Sequence, residues 1–286
     1  MTENTEQKQQ PNKRKPRRRR RRPRRRGGPQ GPPTPVSGYL WVREKGSPML
    51  VNSKHAFVST SADPLVPKEL VGSLHLESGL FLECKARGND RPRVFEIDTI
   101  EGLPPEEYRA KAIPFQELTS IDPLERFNLE TEPDLVEPRV AELIAPLGKG
   151  QRCLIVSPPK AGKTTLLQQM AHAIAVNHPN TTIFVLLVDE RPEEVTDWKR
   201  SIARGEVFAS SSDQSLESHI RVSEMVFERA RRLVEMGEDV VVFMDSLTRM
   251  SRAYNNSQKG SGRIMSGGID ARTMEKPRRF FGSARN

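Results

Sequence analysis

Long apolar runs are missing from this 286-residue sequence. The longest, Ile183 to Val188, falls far short of the ~18 residues that suggest a membrane span. No apolar stretch follows the N-terminal arginines to make an export signal. Cysteine is scarce too: Cys84 and Cys153 are the only two, and they lie far apart in the chain. They fit neither a disulfide framework nor a zinc spacing, which excludes cysteine-based metal chemistry and favours a reducing, cytoplasmic setting. No repeat of 20 to 50 residues is visible, so a solenoid or propeller is excluded. Positive charge is also absent from most of the chain. Lys13 to Arg26 holds twelve basic residues, and removing them from the formal +9 leaves −3 for everything else.

The basicity therefore belongs to a tail. Residues 1–38 combine that arginine block with GGPQGPPTPVSG and have too little apolar area to offset the entropy of ordering, so they are expected to be disordered. A dense arginine block is the electrostatic footprint of polyanion capture, although a solubilising or localisation tail has the same composition.

Residues 39–103 read as β. Leu80, Leu82, Cys84 and Ala86 alternate with Phe81, Glu83, Lys85 and Arg87, the period of a half-buried strand. Gly88, Asn89 and Asp90 then supply a turn before the extended chemistry of Val94 to Ile100. A small OB-like barrel fits. Its aromatics (Tyr39, Trp41, Phe57, Phe81, Phe95) are either core or platforms for stacked bases.

Pro104, Pro105 and Pro114 mark residues 104–118 as a linker, and residues 119–286 change character. Apolar runs at Cys153–Val156, Ile183–Val188 and Val240–Met244 alternate with helical stretches at Thr164–His178 and Leu216–Met236, the signature of a parallel sheet covered by helices. Gly237 offers the second helix a cap.

Between the first apolar run and the first helix lies Ser157-Pro158-Pro159-Lys160-Ala161-Gly162-Lys163-Thr164. It matches the phosphate loop G-x-x-x-x-G-K-[ST] at every specified position but the first. Helix N-terminal N–H groups would face phosphates, with Lys163 neutralising them and Thr164 ligating Mg²⁺. Val240–Met244 ends in Asp245, a candidate for holding the magnesium, and Ile183–Val188 ends in Asp189-Glu190-Arg191. Glu190 is a candidate to activate the attacking water, Arg191 to face the γ-phosphate, and Arg249 is a weaker candidate for the same region.

Four blocks, GKGQRCLIVSPPKAGKTTLLQ, LLVDERPEEVTD, VVVFMDSLTRMSRAYN and SGRIMSGGIDA with RRFFGSARN, resemble the Rho family of bacterial transcription termination factors. That resemblance implies a fold of α/β class, a RecA-like P-loop motor preceded by an OB-like barrel. It implies a homohexameric, RNA-dependent ATPase and 5′-to-3′ helicase that acts on single-stranded RNA beside RNA polymerase. It further implies ATP contacts from Gly148, Lys149, Gly150, Gln151, Arg152 and Cys153, from Lys160, Ala161, Gly162, Lys163, Thr164 and Thr165, and from Arg191. Lys259 and Arg263, on the loop from about Ser257 to Asp270, would meet RNA phosphates.

Three departures from the family are visible. Cys153 replaces a usual glycine. Gly46-Ser47-Pro48-Met49-Leu50 stands where the family's aromatic strand is expected. The family pattern also implies a further segment after Asn286 that carries strands, a second RNA loop and an arginine finger. Two other readings stay open: an RNA- and nucleotide-binding protein without its own turnover, and a basic structural binder in which the tail does everything.

Overall fold

The computed structural model describes residues 31–43, 46–158, 160–257, 264–265, 269–270 and 274–283. Its first strand, β1 (Thr34–Trp41), begins inside the stretch expected to be disordered. The reason is pairing. Thr34 faces Ala86 across an antiparallel ladder with β3 (Phe81–Arg87), so backbone hydrogen bonds and a shared core hold residues that composition alone assigns to a tail. With β2 (Met49–Val51) and β4 (Arg93–Ile100) these strands make a sheet of order β2-β1-β3-β4. Leu65 closes it. Its N–H donates to Pro92 O at 2.8 Å and its carbonyl accepts from Val94 N at 2.9 Å, while Leu50 N donates to Pro64 O at 2.9 Å. The two sheet edges are thereby joined into a small barrel.

The alternation in β3 is realised: Leu82, Cys84 and Ala86 are buried, Glu83 and Arg87 exposed. Leu40, Leu50, Leu80, Val94 and Ile100 complete the barrel core. Helix α1 (Lys68–Leu74) adds Leu70, Val71 and Leu74 to its margin. The proline-marked linker contains a helix, α2 (Pro105–Lys111), because Pro105 at the first helical position suits helix initiation and Tyr108 buries against the barrel.

Beyond α3 (Val136–Ile144) and α4 (Lys163–Asn177), the chain builds a three-stranded parallel sheet. Its order is β6-β5-β7, with β5 (Thr182–Glu190), β6 (Glu206–Ser211) and β7 (Val240–Asp245). Ile183, Val185 and Leu187 pack with Leu167, Met170 and Ile174 of α4 and with Trp198 of α5 (Pro192–Ser201). Phe184, Leu186 and Val188 face the other way, onto α6 (Leu216–Glu235) and α7 (Leu247–Ser257). Ser215 caps α6, its hydroxyl accepting from Ser218 N, and Gly237 (φ +84°) ends it with its N–H on Val234 O at 2.9 Å. A two-residue hairpin, β8 (Ile264–Met265) with β9 (Ile269–Asp270), precedes α8 (Glu275–Ser283), whose Phe280 stacks on Phe227.

One expected strand is not formed. Cys153–Val156 joins no ladder, and although Ile155 packs on the α4 side of the core, Leu154 and Val156 are 61% and 84% exposed. Among the described residues no strand pairs with the outer edge of β7. For the same reason β7, expected to be fully buried, keeps Val240, Val241, Val242 and Met244 only half-buried.

Most barrel aromatics are consumed in docking the barrel onto α6 and β6. Phe57 is fully buried and stacks on Phe208 with centroids 5.4 Å apart. Tyr39 meets Phe57 and Phe81 edge-on beneath the Arg229 guanidinium, and Arg221 lies over Trp41. Of the five aromatics weighed as base platforms, only Phe95 is more than a third exposed. Gly79 (φ +91°) is required here, since a Cβ on it would lie 2.5 Å from the Glu228 carbonyl carbon. An ion pair sits in the same seam. Arg229 Nη1 lies 2.5 Å from Glu101 Oε1, with the two side chains only 12% and 8% exposed. Removing one partner of a buried pair strands the other charge. Arg229→Ala is therefore expected to destabilise the chain by roughly 3–5 kcal/mol in urea unfolding, while Arg229→Leu combined with Glu101→Leu recovers most of that loss.

Candidate nucleotide site

The carboxyl ends of β5 and β7 deliver Glu190 and Asp245 to one edge of the sheet, and α4 begins beside them. Gly162 (φ +82°) is the N-cap of α4, a conformation that removes any side chain from the helix mouth. Lys163 and Thr164 both turn to Asp245. The Lys163 ammonium is paired with Asp245 Oδ1, and Thr164 Oγ1 donates to Oδ2 at 3.1 Å. Asp245 is only 2% exposed, so these two contacts replace the water that its carboxylate would otherwise need. A cavity of about 500 Å³ opens over this point, lined by Ser157, Pro158, Lys160, Gly162, Lys163, Thr164 and Thr165. Pro159 lies outside the described residues.

Thr164 and Asp245 fit a magnesium ion. The donors are a hydroxyl and a carboxylate, oxygen ligands of the kind this hard cation takes, and a cation already sits against Asp245 in the form of Lys163.

Glu190 has a different environment. Asp189 adopts a left-handed φ of +58° where the β5–β6 register shifts, which turns Glu190 out of the regular alternation. Its carbonyl accepts from Ser212 N at 3.0 Å. The residue is 4% exposed, with Arg249 Nη1 3.0 Å from Oε2. Arg249 also donates to the Asp189 carbonyl. Burial pushes the Glu190 carboxyl up to about 7, helped by a hydrogen bond with Glu194 and the negative charges of Glu194 and Asp245, against the opposing pull of Arg249.

The other sequence candidates are scattered. Arg191 is exposed at the N-cap of α5, next to Glu190 in the chain. Lys160 and Ala161 are exposed on the loop, Lys160 with φ +63°. Thr165 stands exposed in the first turn of α4. The Gly148–Cys153 block is not drawn into the phosphate-loop cavity. Lys149 Nζ is held between Glu125 and Asp239, at 2.6 and 2.5 Å, and Asp239 adjoins the amino end of β7, the edge opposite Asp245. Gly148 N donates to Gln151 Oε1 at 2.8 Å, Gly150 has φ +79°, Arg152 lies over the Phe281 ring and Cys153 is exposed. Lys259 and Arg263 lie outside the described residues.

Sequence reasoning ranked Arg249 low and missed Glu194. The only signal for Arg249 was its place one helical turn after Asp245. Glu194 sits one turn into a helix whose start was not anticipated.

The Glu190 shift makes a stability statement. The folded chain holds a proton on this carboxyl up to about 7, whereas an unstructured one releases it near 4.5. The folded state binds more protons in that window, so this group's contribution falls as pH rises through it. Glu190→Gln is therefore expected to gain stability relative to the parent across that interval, read as a melting-temperature difference that widens with pH.

The nucleotide-binding domain model of the ATP synthase alpha/beta family matches residues 138–268. The chain is 43% identical over 256 residues to the transcription termination factor Rho of Chromobacterium violaceum, covering 87% of this chain and 61% of that one. It is 44% identical over 253 residues to Rho of Borreliella burgdorferi, covering 87% and 49%. With Rho of Mycobacterium leprae it shares 54% over 190 residues, or 66% and 31% of the two chains. Among solved structures, a prototypical ATPase from the type III secretion system of pathogenic bacteria superposes with a TM-score of 0.50 at 21% identity, covering 61% of this chain and 49% of that one. That likeness concerns the fold alone, and it agrees with an α/β P-loop ATPase architecture. The chain spans about half the length of the curated relatives it matches, 61% and 49% for the first two above. Over that span, motif by motif and at these identities, the chain is similar to transcription termination factors named Rho.

Proposed function

We propose that this chain supplies the RNA-capturing barrel and the nucleotide-binding face of a transcription termination factor that hydrolyses ATP in response to RNA. Movement along single-stranded RNA would then drive transcript release at RNA polymerase, within a homohexamer carrying ATP between subunits. The observation that carries the reading is the convergence of Lys163, Thr164 and Asp245 at the N-terminus of α4, with Glu190 held beside them by Arg249. We divide the chain accordingly into a tail (residues 1–33), a barrel that starts with β1 (34–103), a linker (104–118) and a RecA-like ATPase region (119–286).

In this reading the α4 amides and Lys163 hold the β- and γ-phosphates, and Lys160 and Arg191 add positive charge around them. Magnesium, held by Thr164 and Asp245, would neutralise charge on the same oxygens. Glu190 orients and deprotonates the attacking water. A carboxyl poised at about 7 suits that task, because it can both take and return a proton near neutral pH. The arginine block of Lys13–Arg26 supplies non-specific attraction to RNA phosphates, and Lys259 and Arg263 add contacts on the loop after α7.

A second reading, nucleotide binding without turnover, is favoured by one feature. Arg249, paired with Glu190, also donates to the Asp189 carbonyl and does not stand free as a finger. Steady-state ATPase assays with RNA separate the two. Turnover that Glu190→Gln abolishes supports hydrolysis, and binding without turnover supports the alternative.

Lys163→Ala is expected to weaken ATP binding at least ~10-fold, because charge-assisted hydrogen bonds are each worth roughly 1.5–3 kcal/mol. Equal ATP affinity in calorimetric titration of parent and variant would remove the phosphate-loop assignment. If about half of the arginine-block charges reach phosphates, the log–log salt slope for single-stranded RNA is expected to be roughly −4, and deleting residues 1–30, which leaves β1 intact, to flatten it. A slope that survives the deletion moves the binding surface to the barrel and the ATPase region.

A further inference from the structure

Hydroxyl, amide and imidazole groups come together where β6 turns into α6. Ser210 is fully buried in β6, and Ser218 and His219, in the first turn of α6, are each 4% exposed. Gln214 stands in the turn and takes two hydroxyl protons on its Oε1, from Ser210 at 3.0 Å and from Ser218 at 2.8 Å. A hydroxyl has one proton to give. With that of Ser210 committed to Gln214, the 2.6 Å contact between Ser210 Oγ and His219 Nδ1 is made by a proton on the nitrogen, so the imidazole donates. Burial holds the ring below its ordinary pKa, against the pull of Asp189, which favours the neutral form with Nδ1 protonated. Packing alone does not ask for this histidine. Val222 and Val226, on the same face of α6, are apolar and buried, and a polar network in their company is tolerated only when its members are satisfied.

What the network steadies is the backbone of Glu190. Ser211, the neighbour of Ser210, is the ladder partner of Glu190, and Ser212 N donates to the Glu190 carbonyl at 3.0 Å. Gln214 N donates to Ser211 O at 2.9 Å and closes the turn. From the other side Arg249 donates to the Asp189 carbonyl and pairs with the Glu190 carboxylate. Asp189 is left-handed at φ +58° and the register shifts there, so regular strand geometry does not set the direction of Glu190 and its neighbours must.

We propose that His219 is a positioning residue for Glu190: by donating to Ser210 it braces the turn whose Ser212 amide holds the Glu190 backbone, and so aims the carboxylate at the attacking water. This inference rests on the reading of Glu190 as the group that activates water and deepens it, from the carboxylate to what fixes its aim.

The test compares the 286-residue chain with His219→Ala, His219→Asn and Ser210→Ala. Asparagine offers an amide nitrogen where Nδ1 stood and restores the donor to Ser210, whereas alanine does not. Ser210→Ala breaks the same contact by removing one hydroxyl, a smaller change that keeps the test open where a histidine variant fails to fold. With RNA present, kcat for ATP is expected to fall about tenfold or more in both alanine variants, with KM within about twofold because the phosphate loop is untouched, and to recover in His219→Asn. The Ser212 amide is expected to exchange its hydrogen about tenfold faster in both alanine variants, while the Leu166 amide of α4 keeps its rate. Parent-like kcat in the alanine variants overturns the positioning role. So does a loss carried by KM, a loss that asparagine does not repair, or a loss with Ser212 exchange unchanged. A parent without turnover overturns the hydrolytic reading of Glu190 itself, and the role of His219 falls with it.

Discussion

Everything in the α/β part of this chain is arranged around a strand with no face for water. β5 buries Ile183 through Val188 without interruption, odd-numbered side chains toward α4 and α5 and even-numbered ones toward α6 and α7. A strand of that composition is stable only when covered on both sides, so it dictates a layered sheet with helices above and below. The requirement reaches into the barrel. Phe57 joins the same cluster as Phe184, Leu186 and Val188 through Phe208, so the barrel helps to finish the cover. Barrel and sheet are consequently not two beads on a string. They share a core, an ion pair at Arg229–Glu101 and the glycine approach at Gly79.

How far the sequence disclosed this depends on whether a feature is local. The phosphate loop, its helix, and the acidic ends of the Ile183–Val188 and Val240–Met244 runs are local patterns, and the structure places Lys163, Thr164, Asp245 and Glu190 at one edge. The alternation in β3 is local as well. What was hidden depends on partners far along the chain. No local rule tells that Thr34 pairs with Ala86, that Leu65 closes the barrel, or that Phe57 and Tyr39 face β6 and α6 instead of solvent. Cys153–Val156 illustrates the converse. Its composition is that of a buried strand, yet a strand exists only where a neighbour completes its ladder, and composition carries no information about that neighbour. Lys149 is a third case: a lysine in a glycine-rich, phosphate-suggestive block, claimed instead by two carboxylates, Glu125 and Asp239, at the far end of β7.

Glu190 and Asp245 end adjacent parallel strands, and both are nearly inaccessible to water, but their surroundings differ. Asp245 has an ammonium and a hydroxyl on its two oxygens. Glu190 has one guanidinium, shared with a backbone carbonyl, and a neighbouring carboxyl at Glu194 that resists a further negative charge. Burial raises the Glu190 carboxyl, and one shared guanidinium does not offset it.

The same contacts define what nucleotide entry must exchange. Lys163 and Asp245 neutralise one another, so the loop presents less net positive charge than its sequence suggests. Phosphates held at the N-terminus of α4 would compete for Lys163 and would leave Asp245, at 2% exposure, without its cation. A buried carboxylate in that position is costly unless another cation replaces the first, and the Thr164 hydroxyl already stands 3.1 Å from it as a second oxygen donor. Phosphate and a divalent cation would thus favour each other's binding through a single ion pair, because either one alone would leave a charge at this edge of the sheet without its partner.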